Sequence, residues 1–160
     1  MSQSDKMGDG TLEQASDARS LYARIPGGLE LLAWFGDVPD FHDAEVIEVS
    51  LHRNSASLLR LHAWDQSEAG DQSAKHAVVT LRLEGILDLQ LDGFSPQNVI
   101  YALVIRSAPE RADRRPHYWD APGLDDIEIE LEPCYGLAGL IRCRKLSIEL
   151  TPGRPSDATV

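Results

Sequence analysis

A histidine and two carboxylates lie within four residues of one another in the stretch PDFHDAEVIEVSLHR (39–53), at His42, Asp43 and Glu45. Side chains of these types bind divalent metal ions or act as general acids and bases. In an extended chain, neighbouring side chains point to opposite sides, so His42 and Asp43 would not converge on one ion. Asp43 and Glu45 alone would make a weak calcium or magnesium site. The interpretation favoured by the sequence is structural, with Phe41, His42, Asp43 and Glu45 as the lead-in to a strand.

This interpretation predicts no catalytic residue, no metal and no cofactor. One alternative stays open, a small metal-dependent hydrolase that uses His42, Asp43 and Glu45 with a histidine from elsewhere. The sequence contains no phosphate-binding loop, no GxSxG turn and no HExxH motif. The cysteines, Cys134 and Cys143, are too far apart for a CxxC metal knuckle. Cys143 is expected in the core of a strand, and Cys134 in an exposed turn.

Length and charge restrict the class of protein. A chain of 160 residues is expected to form one domain, here residues 11–150, between disordered tails at 1–10 and 151–160. The net charge of −11 argues against nucleic acid and anionic membranes as partners, since both attract cationic surfaces. The polar N-terminus does not resemble a secretory signal, and no apolar run is long enough to span a bilayer. A cytoplasmic location is therefore expected.

The hydrophobic periodicity predicts helices first and strands afterwards. Residues 11–24 and the segment LELLAWFG (29–36) have helical spacing, with Trp34 and Phe35 expected to be buried against a sheet. From residue 44 the period changes to two, which is typical of strands. A three-residue loop at 54–56 would pair Val49 with Leu61 and place Glu48 opposite His62. Residues 79–91 form either one strand bent at Gly85 or a hairpin.

Two further strands and a long connection complete the pattern. VIYALVIRS (99–107) is predicted to be a strand that is central in the sheet or buried on both faces, and in DIEIELE (126–132) the apolar residues point inward. The connection at 107–125 contains three prolines and is expected to be functional or mobile. The fold class is mainly β (α+β). We expect an antiparallel curved sheet or two-layer sandwich of about six to eight strands, with an N-terminal helical segment packed on it.

The predicted strand at 126–132 carries a row of carboxylates on its other face. This face is either solvated or a docking surface for a cationic partner. Aromatic residues of the neighbouring loops are expected to anchor a partner at the same rim. The candidate partner-binding residues are Asp126, Glu128, Glu130, Glu132, Tyr118, Trp119 and Tyr135.

Four segments in order resemble the immunity protein 50 family of bacterial polymorphic-toxin systems. They are WFGDVPDFHDAEV (34–46), VTLRLEGILDLQLDGF (79–94), PQNVI (96–100) and IEIELEPCYGLAGLIRCRKLSIEL (127–150), and the resemblance spans roughly residues 30–150. It implies a cytoplasmic, non-enzymatic binding protein that neutralises a cognate toxin by direct contact. The acidic charge favours a basic toxin domain as the protein partner. A ligand-binding or structural β domain remains the other alternative, and the oligomeric state stays open.

Overall fold

The computed structural model describes residues 9–65 and 75–156, and within them six antiparallel strands form one sheet that closes into a barrel in the order β1-β2-β3-β6-β5-β4. Two helices precede the strands and pack on the sheet. This confirms the mainly β class with an N-terminal helical segment, and the curved sheet rather than the sandwich is the form adopted. The elements are α1 (Asp9–Arg24), α2 (Gly28–Phe35), β1 (Glu45–Ser50), β2 (Ser57–Asp65), β3 (Lys75–Asp92), β4 (Val99–Ser107), a 3₁₀ turn (Arg115–His117), β5 (Ile127–Tyr135) and β6 (Ala138–Pro152).

The ambiguous segment 79–91 belongs to one long strand, β3, that pairs with β6 along most of its length. Gly85 has a φ of +65°, and the register with β6 shifts between Ile86 and Asp88. A residue with positive φ followed by a register shift bends a strand and increases its twist. The bend at Gly85 therefore supplies curvature that a closed sheet requires.

The interior of the barrel is filled by alternate apolar residues of every strand. Ile127, Ile129 and Leu131 of β5 point inward as predicted, with exposures of 8, 0 and 3%. Cys143 is fully buried among them, which confirms its expected core position, and burial raises the pKa of its thiol to about 12. The inward positions are thus occupied by side chains that contribute hydrophobic stabilisation. A binding or catalytic site is therefore expected on the outer surface of the barrel.

The predicted register of the first hairpin is wrong. Val49 pairs with Leu59, two residues from the predicted Leu61, so the displacement begins at the loop end of the hairpin. Farther along, Ile47 is an extra residue that shifts the ladder by one more, and Val46 pairs with Leu61. Glu48 consequently lies opposite Arg60, to which it is bonded at 2.8 Å, and not opposite His62. The alternation in the sequence did not reveal this shift, since Ile47 is apolar but is 36% exposed.

Of the two alternatives for 99–107, a central strand is confirmed, since β4 pairs with β5 and with β1, and burial on both faces is wrong. Ile100, Leu103 and Ile105 point into the barrel, whereas Tyr101 and Val104 are 52 and 42% exposed. In a closed barrel each strand has one inner and one outer face, so a continuous apolar run does not require burial on both. The exposure of Tyr101 and Val104 on the outer face of β4 is therefore not explained by the barrel core.

The helical segment meets the barrel through a tight corner between α1 and α2. The amide of Ile148 in β6 donates a hydrogen bond of 2.8 Å to the carbonyl of Pro26, and Gly27 follows with a φ of +83°. Leu31 and Leu32 are buried, while Trp34 and Phe35 are only half-buried, contrary to the prediction. Gly36 ends α2 in the left-handed conformation, as expected for a C-terminal cap.

The predicted tails lie partly outside the described residues. Residues 1–8, 66–74 and 157–160 are not described; Asp9 already belongs to α1, and β6 extends to Pro152. None of the helices within 9–65 and 75–156 combines the length and apolar composition that crossing a bilayer requires.

Candidate functional site at the barrel seam

The barrel closes where the segment before β1 meets the beginning of β4, a junction that we call the seam. The amide of Ile100 donates to the carbonyl of Ala44 at 2.8 Å, and the amide of Asp43 donates to the carbonyl of Ile100 at 2.9 Å. Farther along β4, the amide of Leu103 donates to the carbonyl of Asp40 at 2.8 Å. Residues 40–44 thus occupy the edge of β4 and hold the sheet closed.

These residues form a turn, not the extended chain that the sequence analysis assumed. Phe41 and Asp43 both have left-handed φ angles, 58° and 64°, and the amide of His42 donates to the carboxylate of Asp40 at 2.9 Å. Phe41 is 3% exposed and packs edge-on against Phe35, with ring centroids 5.6 Å apart. The turn therefore buries Phe41 and presents His42 and Asp43 at the surface, on the same side.

His42 is held in one orientation by the neighbouring strand. Its Nδ1 lies 2.9 Å from the carbonyl oxygen of Tyr101, and since a carbonyl only accepts, Nδ1 carries the proton. Its Nε2 lies 3.6 Å from the Oδ1 of Asp43. The bond to Tyr101 is the main cause that raises the pKa of His42 above its usual value, and the carboxylates of Asp43 and Asp40 also raise it.

Two register shifts between β4 and β5 bring further side chains to the seam. Val99 pairs with Tyr135, Ile100 with Pro133 and Ala102 with Glu132, so Cys134 and Tyr101 are each the extra residue of their strand. Extra residues of this kind redirect a side chain and are frequent beside functional sites. Both Cys134 and Tyr101 are exposed.

The result is a cluster of three potential ligands: a ring nitrogen of His42, a carboxylate oxygen of Asp43 and the Sγ of Cys134 lie within 4.8 Å of one another. The sequence analysis grouped His42 and Asp43 with Glu45 instead. Glu45 begins β1, where it pairs with His62 and Val99. No local spacing indicated Cys134, because only barrel closure brings the end of β5 beside the 40–44 turn.

A small cleft opens beside this cluster. Its volume is about 210 Å³, and it lies between the turn at 40–44 and the end of β2. Its walls include Asp40, His42, Phe35 and Trp64. His42 is therefore accessible from a concave surface as well as from solvent.

The predicted acidic docking row is not a uniform exposed face. Glu128 is fully buried, and its carboxylate accepts two bonds from Arg111, at 2.6 and 2.7 Å, and one from Arg106 at 2.7 Å. Burial raises the pKa of Glu128, but the bonds from the two arginines outweigh this and hold the pKa below its usual value. Glu128 is thus an internal anion, unavailable to a partner.

Asp126 is also buried, at 3% exposure. It accepts a bond of 3.0 Å from the Nε of Arg142 and one of 2.8 Å from the amide of Gly123. In the same region, Arg114 binds Asp88 through two bonds of 2.7 and 2.9 Å. These contacts fasten the connection at 108–125 onto the outside of the barrel, which explains how a long proline-containing segment is held in one place.

The aromatic residues that were predicted to form one rim lie in separate regions of the fold. Tyr118 is half-buried beneath the guanidinium of Arg142, and its hydroxyl is buried without a hydrogen-bond partner in the described part of the chain. Trp119 is 68% exposed and donates through its indole nitrogen to the carbonyl of Ile86, near the start of β5. Tyr135 is at the opposite end of β5, about 25 Å away for a strand of this length. Tyr118, Trp119 and Tyr135 therefore do not form one site.

The exposed remainder of the predicted set, Glu130, Glu132 and Tyr135, adjoins residues that sequence reasoning missed. Tyr101 is 52%, Phe94 63% and Tyr135 62% exposed. Phe94 belongs to the turn before β4, where the side-chain carbonyl of Asn98 accepts the amide of Leu137 at 3.1 Å. We call Phe94, Tyr101, Glu132 and Tyr135 the seam surface. The apolar face of 99–107 was the available signal for Tyr101, but it was interpreted as core.

A separate cluster on β2 and β3 contains a pair of histidines. The Nε2 of His62 lies 2.9 Å from the Nδ1 of His76, and Trp64 packs edge-on against His62. Burial is the main cause that lowers the pKa of both imidazoles, and the charge of Arg154 lowers both further. The charge of His76 also lowers the pKa of His62, and the pair is expected to be neutral at pH 7.

This pair predicts a loss of stability at mildly acidic pH. Because the folded pKa values lie below the unfolded value of about 6.5, the unfolded chain binds more protons as pH falls past that value. The stabilising contribution is present above about pH 6.5 and is lost toward lower pH. Urea unfolding between about pH 7.5 and 5.5 should show a smaller pH dependence in His62→Gln/His76→Gln than in the original chain. His117→Gln, at an exposed position, is the control, and an unchanged pH dependence in the double variant would contradict the prediction.

No family model, curated protein or solved structure matches this chain. The resemblance to the immunity protein 50 family therefore stays an interpretation of its sequence motifs.

Proposed function

We propose that this chain is an immunity-type protein that neutralises a cognate toxin by direct contact, without a catalytic step. The proposal combines the sequence resemblance with the observation that carries it in the structure, the exposed aromatic residues of the seam surface. Phe94, Tyr101 and Tyr135 each have more than half of their surface in solvent. Tyrosine and phenylalanine at such positions are enriched at the centres of protein interfaces.

The charge around the seam surface indicates the kind of partner. Asp40 and Asp43 lie in the turn on one side, and Asp92 is exposed two residues before Phe94. Glu132 is exposed on β5 and pairs with Ala102, the residue after Tyr101. Exposed carboxylates in the same region as aromatic anchors suit a protein surface that carries lysine and arginine. The net charge of −11 would steer such a partner toward the complex from a distance.

The acidic row predicted from sequence contributes less to this surface than expected. Asp126 and Glu128 are neutralised by arginines inside the fold, so their charges do not reach a partner. Glu130 shares Arg106 with Glu128 and is half exposed. Glu132 therefore becomes the member of the row best placed to meet a cation of the partner.

The test uses a toxin domain encoded beside the gene for this chain. Co-expression should restore growth of cells that produce the toxin, and the purified proteins should form a complex. Tyr135→Ala and Phe94→Ala should each weaken binding by about 30-fold, mainly through faster dissociation, as expected for anchors worth about 2 kcal/mol. Glu132→Lys should lower the association rate at low salt by about tenfold and reduce its salt dependence.

Trp119→Ala is the matched control, since it removes an exposed aromatic side chain at the far end of β5. It should leave protection and binding unchanged. A toxin that neither binds nor is neutralised would refute the proposed function. Neutralisation that is insensitive to the Tyr135 and Phe94 variants would retain the function but refute the seam surface as its contact.

A further inference from the structure

We propose that His42, Asp43 and Cys134 bind a divalent transition-metal ion, with Zn²⁺ as the best-fitting species. This site adjoins the seam surface, but metal binding is a different activity from the neutralisation proposed above and requires no toxin. It uses a nitrogen, an oxygen and a sulfur ligand from two distant parts of the chain, which converge only because the barrel closes at the seam.

The distances suit a tetrahedral ion. Around zinc, with metal–ligand distances of about 2.0–2.3 Å, ligand atoms lie about 3.3–3.8 Å apart. The Nε2 of His42 and the Oδ1 of Asp43 are already 3.6 Å apart. The three ligand atoms lie within 4.8 Å of one another, and rotation of the exposed Cys134 side chain can shorten its separations. Three protein ligands leave one position of the tetrahedron for water or another molecule.

The second contact of His42 favours ligation through Nε2. Metal-binding histidines commonly donate their other ring N–H to a carbonyl or carboxylate, which fixes the tautomer and the ring orientation. Here the carbonyl of Tyr101 accepts the Nδ1 proton at 2.9 Å, and the Tyr101 ring packs edge-on against the imidazole. Nε2 of the neutral ring then carries the free lone pair, and it lies 3.6 Å from the Oδ1 of Asp43.

The backbone of the turn is consistent with a built site. Phe41 and Asp43 occupy left-handed conformations, which is uncommon for residues other than glycine and costs free energy at Phe41 in particular. The burial of Phe41 accounts for its own position. The same conformation orients His42 and Asp43 toward one point, which an extended chain would prevent.

The ligand chemistry selects among metals. A thiolate and an imidazole are preferred by Zn²⁺ and by other borderline or soft ions, whereas Mg²⁺ and Ca²⁺ prefer oxygen ligands alone. Cys143, the other cysteine, is fully buried in the barrel and cannot take part. Cys134 is therefore the thiol that must lose its proton when the ion binds, and affinity should decrease as pH falls.

The experiment titrates the reduced, metal-free full-length chain with Co²⁺ and then with Zn²⁺. Co²⁺ should produce a thiolate-to-metal charge-transfer band at one ion per chain, and Zn²⁺ should displace it. Zn²⁺ should also protect Cys134 from a thiol reagent until a chelator is added. Cys134→Ser should abolish the band, and His42→Ala should weaken Zn²⁺ binding more than about 100-fold, beyond the loss typical of an outer partner.

His52→Ala and His117→Ala are controls, because they remove exposed histidines elsewhere on the chain. They should bind Zn²⁺ as the original chain does. Circular dichroism of the metal-free variants checks that each retains its strands. The proposal is overturned if folded Cys134→Ser keeps the band, if His42→Ala binds Zn²⁺ with unchanged affinity, or if the original chain binds neither ion.

Discussion

Glu128→Lys should destabilise the fold by about 3–5 kcal/mol, one of the two largest effects expected for a single substitution. Glu128 is fully buried, and its carboxylate is the shared acceptor for Arg106 and Arg111. A lysine would replace an anion by a cation beside two guanidinium groups, which would remove the carboxylate partner of Arg111 and leave Arg106 with Glu130 alone. Removing one member of a buried ion pair is expensive because an uncompensated charge remains in a medium of low polarity.

The exposure of the arginines limits this effect. Both side chains retain about a third of their surface in solvent, at 31 and 32%, so water compensates in part and the lower half of the range is expected. Urea unfolding should show a lower midpoint for Glu128→Lys with an unchanged slope.

Glu132→Lys is the matched control, since it makes the same change on the same strand at an exposed position. It should alter the free energy of unfolding by less than about 1 kcal/mol. Equal stability of the two variants would show that the arginines do not depend on Glu128. If Glu128→Lys does not fold at all, Glu128→Gln, which keeps the shape and removes the charge, should give an intermediate loss of stability.

Gly27→Ala should produce the second large effect, a decrease of about 3–5 kcal/mol in the free energy of unfolding. The decrease combines the strain of a left-handed residue other than glycine with overpacking by the added Cβ. A Cβ at this position would lie 1.7 Å from the carbonyl oxygen of Ile148, a backbone atom that cannot move without disturbing β6. The adjacent bond from the amide of Ile148 to Pro26 joins the helical corner to the barrel and would be lost or displaced. The substitution should therefore loosen the packing of α2 as well as lower the midpoint of urea unfolding.

Gly36→Ala separates the two causes. Gly36 has nearly the same φ as Gly27, 81° against 83°, but no atom lies within 4 Å of a Cβ added there. Its expected cost is therefore the conformational part alone, about 1–2 kcal/mol. If Gly27→Ala costs no more than Gly36→Ala, the close approach of the corner to β6 does not contribute to stability.

Because Glu128 and Asp126 are buried, their negative charges are not available to a partner. Alternation along 126–132 predicted a row of carboxylates opposite Ile127, Ile129 and Leu131, and these three apolar residues are buried as predicted. The row is nevertheless covered at one end, because arginines from β4, β6 and the 108–125 connection form ion pairs there. The charge available to a partner is therefore concentrated toward the seam end of β5.

The sequence alone determined the class of fold and the local character of most segments. Periods of 3.6 and 2 residues arise from the geometry of each element itself, so the helices, the cap at Gly36 and the inward face of β5 could be predicted without a template. The core position of Cys143 followed from the same alternation. Charge and composition likewise belong to the chain, whatever its fold.

Only the tertiary structure decided which distant residues meet. A displacement of two residues keeps the apolar faces together, so alternation did not distinguish the predicted hairpin pairing from the observed one. The exposed face of β4 follows from closure of the barrel, which gives each strand one inner and one outer face. The left-handed turn at Phe41 and Asp43 depends on contacts with β4, and the meeting of His42 with Cys134 depends on closure of the barrel. Such contacts join parts of the chain far apart in sequence, and their geometry is determined by the packing of the whole sheet, which no local pattern encodes.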